Sequence, residues 1–188
     1  MSIDILTEDQ LAQLSQLISV SQNIIITCHQ SPDGDAIGSS LAWASYLGSL
    51  GKEVTIIVPD QYPDFLLWLP NTEKIVRYNK HREKCDMLLK IADLVFCLDY
   101  NTPSRVDEMQ QTLLNTQAKR VLIDHHLNPD RESFDIVFST PEISSASELL
   151  YWVLKAAEGD TLGPLGLGMT RKGPVIPSEA EGKASVSH

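Results

Sequence analysis

Three short apolar runs in this chain each end in acidic or histidine side chains. The runs are Ile24 to Ile26, Val95 to Leu98 and Val121 to Ile123. The first is β-branched and bounded by turn residues, as is typical of a fully buried parallel strand, and the other two are similarly apolar. Ligands bind beyond the carboxyl ends of the strands in open α/β sheets. The sequence therefore predicts an α/β fold, a parallel β-sheet flanked by helices, with a functional site at that edge.

The residues that follow these runs are carboxylates and imidazoles. They are His29, Asp33 and Asp35 after the first run, Asp99 after the second, and Asp124, His125 and His126 after the third. Hard or borderline divalent ions prefer such ligands, so the set suits Mn²⁺ or Mg²⁺ better than a thiolate-seeking metal. We expect Pro32 and Gly34 to turn the chain sharply, so that Asp33 and Asp35 point at one spot. Any one cluster taken alone is more often a solvated loop.

Two common ligand-binding motifs are excluded at the first of these clusters. Counting from Asp33, the fifth and twelfth positions of a calcium-binding EF-hand loop are Ile37 and Ala44, which lack the required oxygen ligands. Residues Gly34 to Ser40 lack the Gly-Lys-Ser/Thr ending of a phosphate-binding loop, and their glycines do not fit the dinucleotide-binding fingerprint.

The same residues resemble the motifs of a known family. The order His29-x-x-x-Asp33-x-Asp35, Asp99 and Asp124-His125-His126 is similar to the first three motifs of the DHH phosphoesterases. Ser-Pro-Asp-Gly-Asp-Ala-Ile-Gly-Ser-Ser-Leu, Cys-Leu-Asp-Tyr-Asn and Val-Leu-Ile-Asp-His-His-Leu most resemble the bacterial oligoribonuclease/pAp-phosphatase branch, where pAp is 3′-phosphoadenosine 5′-phosphate. The resemblance extends over roughly residues 5 to 158.

The resemblance implies five metal ligands and two divalent cations. His29 and Asp33 would hold one cation, Asp35 and His125 the other, and Asp99 would bridge them. Mn²⁺ is the expected ion, with Mg²⁺ and Co²⁺ as alternatives. Two such ions lower the pKa of a water between them and polarise phosphoryl oxygens, which is the chemistry of two-metal phosphoester hydrolysis.

Three further residues receive roles beside the metals. The resemblance implies that His126 contacts the phosphate, and that Asp124 orients an imidazole and fixes which of its nitrogens meets the metal. Arg105 lies in the first turn of a predicted helix that starts after Asp99, where it is either a solvated charge or faces a substrate phosphate.

Three functions follow from this reading. The first is an enzyme that hydrolyses short oligoribonucleotides and the 3′-phosphate of pAp. The second is a related phosphohydrolase that acts on polyphosphate, pyrophosphate or a cyclic dinucleotide. The third is a truncated domain that binds metal with little or no turnover. The expected partners are therefore a short RNA or nucleotide substrate and no membrane, and a homodimer is left open.

The composition changes abruptly at Gly159. Residues 159–188 are rich in Gly, Pro, Ser and charge and have almost no apolar periodicity, so we expect a disordered tail after a catalytic domain of residues 1–158. Relatives continue into a fourth motif, Asp-Thr-Gly, and a second lobe, whereas Asp160-Thr161-Leu162 has only the first two letters and no apolar strand before it. We therefore expect a chain truncated before the fourth motif, with impaired activity.

Bulk composition limits the class of protein. The chain has 188 residues, 43% of them hydrophobic, which suffices for one substantial core. A formal net charge of -10 argues against a sequence-independent grip on long DNA or RNA. Cys28, Cys85 and Cys97 have no metal-ligand spacing and are expected to be reduced core thiols. With neither a signal peptide nor a membrane-length apolar run in the sequence, we expect a cytoplasmic protein.

Local signals predict several helices and one loop. A capping box at Thr7 predicts a first helix that ends near Val20. Thr102 followed by proline predicts a helix after Asp99, and Ser145 with Glu148 three residues later predicts the last helix. A weak alternation of apolar and polar residues predicts an edge strand near residues 134–138. In the loop of residues 60–70 we expect Phe65 and Trp68 to cover the core rather than to stack on a base.

Overall fold

The computed structural model describes residues 6–158, with side chains through residue 156, and six strands form one parallel sheet. The strands are β1 (Asn23–Thr27), β2 (Glu53–Val58), β3 (Val76–Arg77), β4 (Leu94–Leu98), β5 (Lys119–Asp124) and β6 (Ile136–Ser139). Their order across the sheet is β3-β2-β1-β4-β5-β6, and every neighbouring pair is parallel. The predicted α/β fold with a parallel sheet is confirmed, and β6 is the predicted edge strand.

Five α-helices cover the two faces of the sheet. They are α1 (Glu8–Val20), α2 (Gly34–Ser49), α3 (Arg82–Ile91), α4 (Gln110–Asn115) and α5 (Ala146–Glu158). Buried residues of α1, α2 and α5 belong to one core cluster, and those of α3 and α4 belong to the other. None of the helices within residues 6–158 is long and apolar enough to cross a membrane.

Strand residues alternate between the two cores. In β1, Ile24 and Ile26 pack with α1, α2 and α5, while Ile25 packs on the opposite side. In β4, Phe96 and Cys97 divide in the same way. Because both faces of these strands are buried, their sequences are continuously apolar instead of alternating with polar residues, which is the signal that predicted a parallel sheet.

The end signals of the first and last helices act largely as predicted. The Thr7 hydroxyl accepts a hydrogen bond from the backbone N–H of Gln10, and α1 ends at Val20 as expected. At α5, the Ser145 hydroxyl accepts from the backbone N–H of Glu148, but the Glu148 carboxylate accepts from the backbone N–H of Ser144 rather than that of Ser145. The reciprocal half of the capping box is thus displaced by one residue.

The single helix predicted after Thr102 is wrong. A 3₁₀-helix over Pro103–Met109 precedes α4, with a kink at Asp107, whose φ is 49° and ψ is -128°. The Asp107 carboxylate accepts from the side-chain amide of Gln30, and the Arg105 carbonyl accepts from the Gln30 backbone N–H. These tethers to the loop after β1 hold the segment away from a regular α-helix. No proline or glycine lies next to Asp107 in the sequence, so nothing local indicates the kink or these contacts.

All three cysteines are free and buried, as predicted. Burial raises the pKa of Cys85 and of Cys97 to about 11 in each case, and it raises that of Cys28 well above the usual value. A thiol reacts as its thiolate, which is therefore scarce at neutral pH. We expect no alkylation of the native protein by iodoacetamide within minutes and three labels per chain after denaturation, measured by intact mass. Rapid labelling of the native protein would contradict this placement.

The structure describes only the N-terminal side of the domain boundary predicted at residue 158. Residues 6–158 contain both cores and all the strands named above. The tail predicted over residues 159–188 lies outside the described residues and remains a prediction, as does the reading of Asp160 to Leu162.

Candidate metal centre

The candidate ligands meet at the carboxyl edge of the sheet. β4 lies between β1 and β5, and all three run in the same direction, so the loops that follow them are neighbours. Each loop or strand end contributes side chains to one place: His29, Asp33 and Asp35 from the loop and helix after β1, Asp99 directly after β4, and Asp124, His125 and His126 at the end of β5. The fold thus brings the seven residues that follow the three apolar runs to one edge.

His29 presents one defined nitrogen to the site. Its Nδ1 lies 2.7 Å from the Gln30 carbonyl oxygen, which can only accept, so Nδ1 carries the proton and Nε2 is left free. Nε2 lies 3.5 Å from Asp99 Oδ2 and 3.9 Å from Asp33 Oδ1. The contact with the Asp99 carboxylate raises the pKa of His29, against the opposing effect of burial.

Asp33 is both the N-cap of α2 and a neighbour of His29. Its Oδ1 accepts from the backbone N–H groups of Asp35 and Ala36, at 2.9 and 3.1 Å. The sharp turn before it occurs at Ser31, whose φ is 52°, and not at Gly34, which is already the first residue of α2. The prediction that Gly34 makes the turn is therefore wrong.

Asp35 faces α5 and His125 rather than Asp33. Its Oδ2 accepts from the backbone N–H of Ala146 at 2.7 Å, and its Oδ1 accepts from that of Ser147 at 2.9 Å. The same Oδ2 lies 3.8 Å from His125 Nε2. Asp33 lies beside His29 and Asp35 beside His125, so the two carboxylates approach the site from two sides, which corrects the expectation that they point at one spot.

Asp99 is the central side chain of the site. It is 2% exposed, and its backbone is in the left-handed region with φ of 61°, fixed by a hydrogen bond from its N–H to the Ile123 carbonyl. Burial raises the pKa of the Asp99 carboxyl, and contact with His29 opposes that rise. Its Oδ1 is buried without a hydrogen-bond partner among the described residues.

His125 and His126 approach Asp99 from β5 in different ways. His125 Nε2 lies 3.4 Å from Asp99 Oδ1, whereas His126 Nδ1 lies 3.8 Å from the same oxygen. His126 Nδ1 is held instead by Asp124 Oδ1 at 2.7 Å, and Asp124 Oδ2 accepts from the His126 backbone N–H at 3.1 Å. The nitrogen that His126 leaves available is therefore Nε2.

Two groups of possible ligand atoms share Asp99. The atoms of His29, Asp33 and Asp99 lie within 4.8 Å of one another, as do those of Asp99, His125 and His126. Because Asp124 occupies His126 Nδ1, the carboxylate of Asp35 is the better third member beside His125. The buried Asp99 carboxylate, whose Oδ1 has no hydrogen bond from the described residues, lies between the Nε2 atoms of His29 and His125 and fits a pair of divalent cations that accept nitrogen and oxygen ligands.

Arg105 lies beside this site without contacting its candidate ligands. Its side chain is exposed and makes no hydrogen bond or ion pair with other residues in the 6–158 range, while its carbonyl accepts from Gln30. Two positioning contacts had no sequence signal: Gln30 orients His29 through its carbonyl, and Asp60 accepts from the backbone N–H of Ser31.

Known proteins resemble this chain over the described domain. A model of the DHH family, N-terminal domain, matches residues 23–170. The bifunctional oligoribonuclease and PAP phosphatase NrnA of Thermus thermophilus is 36% identical over 110 residues, 58% of this chain and 30% of that protein. The cyclic-di-AMP phosphodiesterase GdpP of Bacillus subtilis is 26% identical over 151 residues, 76% of this chain and 22% of that protein.

A solved structure supports the same relationship. An exopolyphosphatase-related protein from Bacteroides fragilis superposes with a TM-score of 0.80 at 38% identity, covering 82% of this chain and 45% of that one. The chain thus spans less than half of these relatives. The family model covers the edge of the sheet where the aspartates and histidines converge, so the resemblance drawn from the three motifs is confirmed, and the chain belongs to the DHH family.

Proposed function

We propose that this chain is the catalytic domain of a metal-dependent phosphoesterase that hydrolyses short oligoribonucleotides and pAp. One observation carries the proposal: the buried Asp99 carboxylate lies 3.5 Å from His29 Nε2 through one oxygen and 3.4 Å from His125 Nε2 through the other. A carboxylate shared in this way suits a bridge between two cations. The similarity to the NrnA of Thermus thermophilus, an oligoribonuclease and PAP phosphatase, supports the substrate class.

Each side chain has a separate task in this proposal. His29 and Asp33 would hold one cation, His125 and Asp35 would hold the other, and Asp99 would contact both. Mn²⁺ is the ion proposed, with Mg²⁺ or Co²⁺ as alternatives. The chemistry that two such cations supply when bound is Lewis-acid polarisation of the phosphoryl oxygens and activation of a water at neutral pH.

His126 and Asp124 act on the substrate side of the site. Asp124 is fully buried and accepts from both the ring and the backbone of His126, which fixes the ring and directs Nε2 outward. We propose that Nε2 contacts a phosphoryl oxygen, and that Asp124 supports positive charge on the ring as the phosphate is bound. Arg105, exposed at the rim, is a further candidate for a phosphate contact.

A second candidate function is hydrolysis of a cyclic dinucleotide, pyrophosphate or polyphosphate. The similarity to GdpP of Bacillus subtilis, which covers 76% of this chain, favours the first of these. Because the same cations and His126 would serve any of these phosphoryl groups, residues of the metal centre do not discriminate among them. Groups outside the metal centre must hold the rest of the substrate, and these can lie beyond the described residues.

The first experiment is a substrate panel with the purified chain and Mn²⁺. A diribonucleotide and pAp should be hydrolysed faster than pyrophosphate, tripolyphosphate or cyclic di-AMP, and EDTA should remove all activity. Product release is followed by anion-exchange chromatography, with His126→Ala as a catalytically impaired control. Faster cleavage of cyclic di-AMP would favour the second candidate. Metal binding without cleavage of any member would reduce the chain to a metal-binding domain.

Calorimetry of Mn²⁺ binding tests the centre itself. We expect two sites of unequal affinity, because both oxygens of Asp35 already accept backbone N–H groups of α5, whereas Asp33 accepts its two backbone N–H groups through Oδ1 and leaves Oδ2 available. Asp35→Ala should therefore weaken only the second, lower-affinity site. Two equal sites, or loss of both sites in Asp35→Ala, would contradict the assignment of Asp35 and His125 to a separate cation.

A further inference from the structure

Two aromatic side chains project into solvent from the loop between β2 and β3. Phe65 is 72% exposed and Trp68 is 78% exposed, so the expectation that they cover the core is wrong. Leu66, between them, is 6% exposed and packs into the core in their place. Exposure of most of two large rings to water costs hydrophobic free energy that a core position would recover. Packing within the described domain therefore does not explain why the two rings are exposed.

The loop that carries these rings is attached to the metal centre. It follows β2, which pairs with β1, so it begins at the same edge of the sheet as the loop of His29. The Asp60 carboxylate accepts from the Ser31 backbone N–H at 2.7 Å and from its hydroxyl at 3.3 Å. The Leu66 side chain lies against Gly34, where an added Cβ would meet it at 3.9 Å. The segment that carries the rings therefore lies beside the loop that holds His29 and Asp33.

The backbone under the two rings is braced. Thr72 donates its hydroxyl to the carbonyls of Leu67 and Leu69, and the Tyr62 hydroxyl donates to the Thr72 carbonyl. A 3₁₀-helix over Asp64–Leu66 continues with Leu67 in a helical conformation. Side chains three residues apart in a 3₁₀-helix lie on one side, about 6 Å apart along the axis. Trp68 follows in the turn after the helix, which a hydrogen bond from the Leu69 N–H to the Leu66 carbonyl closes, so the three-residue spacing places Phe65 and Trp68 on the same side of a braced backbone.

We propose that Phe65 and Trp68 form a stacking surface for a nucleobase of the substrate whose phosphate is bound at the metal centre. The inference rests on the proposed function, since only a nucleotide substrate offers a base. Every base has a π-face, so aromatic stacking tolerates sequence differences among short RNAs. Within residues 60–70 the charged side chains are Asp60 and Asp64, which repel phosphate, while the cation Arg77 hydrogen-bonds to Gln61 near the start of the loop. This surface therefore suits the uncharged base better than the backbone of RNA.

A protein partner is a poorer occupant of this surface. One aromatic side chain buries about 150–250 Å² in an interface. Two rings with the half-exposed Leu67 therefore fall short of the roughly 800 Å² per partner that a stable complex buries. A single base, covered by one ring or held between two, needs no more area than the rings supply.

The test compares substrates with and without bases. Phe65→Ala and Trp68→Ala should each raise KM for a diribonucleotide by roughly 5- to 150-fold, with kcat changed far less. The same variants should leave KM unchanged for a matched dinucleotide whose bases are replaced by hydrogen. Leu67→Ala, an exposed apolar residue of the same loop, is the control for loop damage, and Trp68→Phe should restore most of the affinity. Equal KM changes on both substrates, or none on either, would overturn the inference.

Fluorescence separates this inference from the proposed function. Among the three tryptophans, Trp43 is fully buried and Trp152 is partly buried, so nucleotide stacking should quench chiefly Trp68. Titration with AMP in the presence of Mn²⁺ should quench the wild-type protein but not Trp68→Phe. Quenching without hydrolysis would sustain the stacking surface while the proposed function fails. Hydrolysis without quenching would overturn the stacking surface and leave the proposed function standing. A dimer of the wild-type protein that dissociates in the Phe65→Ala/Trp68→Ala variant would also overturn the stacking surface.

Discussion

Replacing Asp99 should abolish hydrolysis and weaken both Mn²⁺ sites together. The side chain is 2% exposed and faces His29 with one oxygen and His125 with the other, so it is the one carboxylate that both cations would share. Loss of groups that merely orient a ligand costs roughly 10- to 100-fold in affinity or activity, and a shared ligand should exceed that range. We expect Asp99→Ala and Asp99→Asn each to lose at least about 100-fold in turnover.

The two substitutions separate chemistry from backbone strain. Asp99 has φ of 61°, a conformation that asparagine tolerates better than alanine, so Asp99→Asn should fold as the wild type does. The matched control is Asp93→Asn, at the other end of β4, where the carboxylate accepts from the backbone N–H groups of Gln22 and Asn23. Turnover, and Mn²⁺ binding measured by calorimetry, should be close to the wild-type values in Asp93→Asn. Wild-type turnover in Asp99→Asn would show that Asp99 is not a ligand of the metal centre.

The apolar runs of the sequence determine where the site lies because strand burial is a local signal. Ile24 to Ile26 and Val121 to Ile123 pack in two cores, so they are continuously apolar and recognisable without a partner strand. In a parallel sheet, that recognition already places the following residues along one edge. The convergence of His29, Asp99 and His125 could therefore be predicted before any distance was known.

Contacts between distant segments left no such signal. Asp35 accepts from the backbone N–H groups of Ala146 and Ser147, more than a hundred residues later, and any residue at those two positions except proline would donate equally well. The kink at Asp107 likewise depends on Gln30, 77 residues earlier. A backbone donor carries no side-chain signature, so these contacts are visible only once the fold is known.

Two of the five non-glycine residues with positive φ in the described part of the chain lie beside the candidate metal centre. Ser31 and Asp99 both have positive φ without being glycine, and each such position costs on the order of 1–3 kcal/mol. Both are fixed by hydrogen bonds, from the Ser31 N–H to Asp60 and from the Asp99 N–H to Ile123. The remaining structure thus stabilises two unfavourable conformations at the places where the chain must turn a ligand inward.

Asp124→Asn should lower turnover by roughly 10- to 100-fold while leaving Mn²⁺ binding nearly unchanged. The wild-type carboxylate accepts twice, from His126 Nδ1 at 2.7 Å and from the His126 backbone N–H at 3.1 Å. An asparagine has only one oxygen, so one of these donors must face its NH₂ group. If the ring faces the NH₂ group, Nδ1 has to accept and cannot carry a proton, so the ring loses the positive charge that the Asp124 carboxylate supports and meets the phosphate only as a neutral donor.

A double-mutant cycle distinguishes this positioning role from general damage. If Asp124 acts through His126, adding Asp124→Asn to His126→Ala should cost little more than His126→Ala alone, because the partner it positions is already gone. Calorimetry should find both Mn²⁺ sites in all three variants, since Asp124 contacts neither His29 nor His125 directly in the described hydrogen bonds. Independent, multiplying losses in turnover would mean that Asp124 supports catalysis by a route other than the ring of His126.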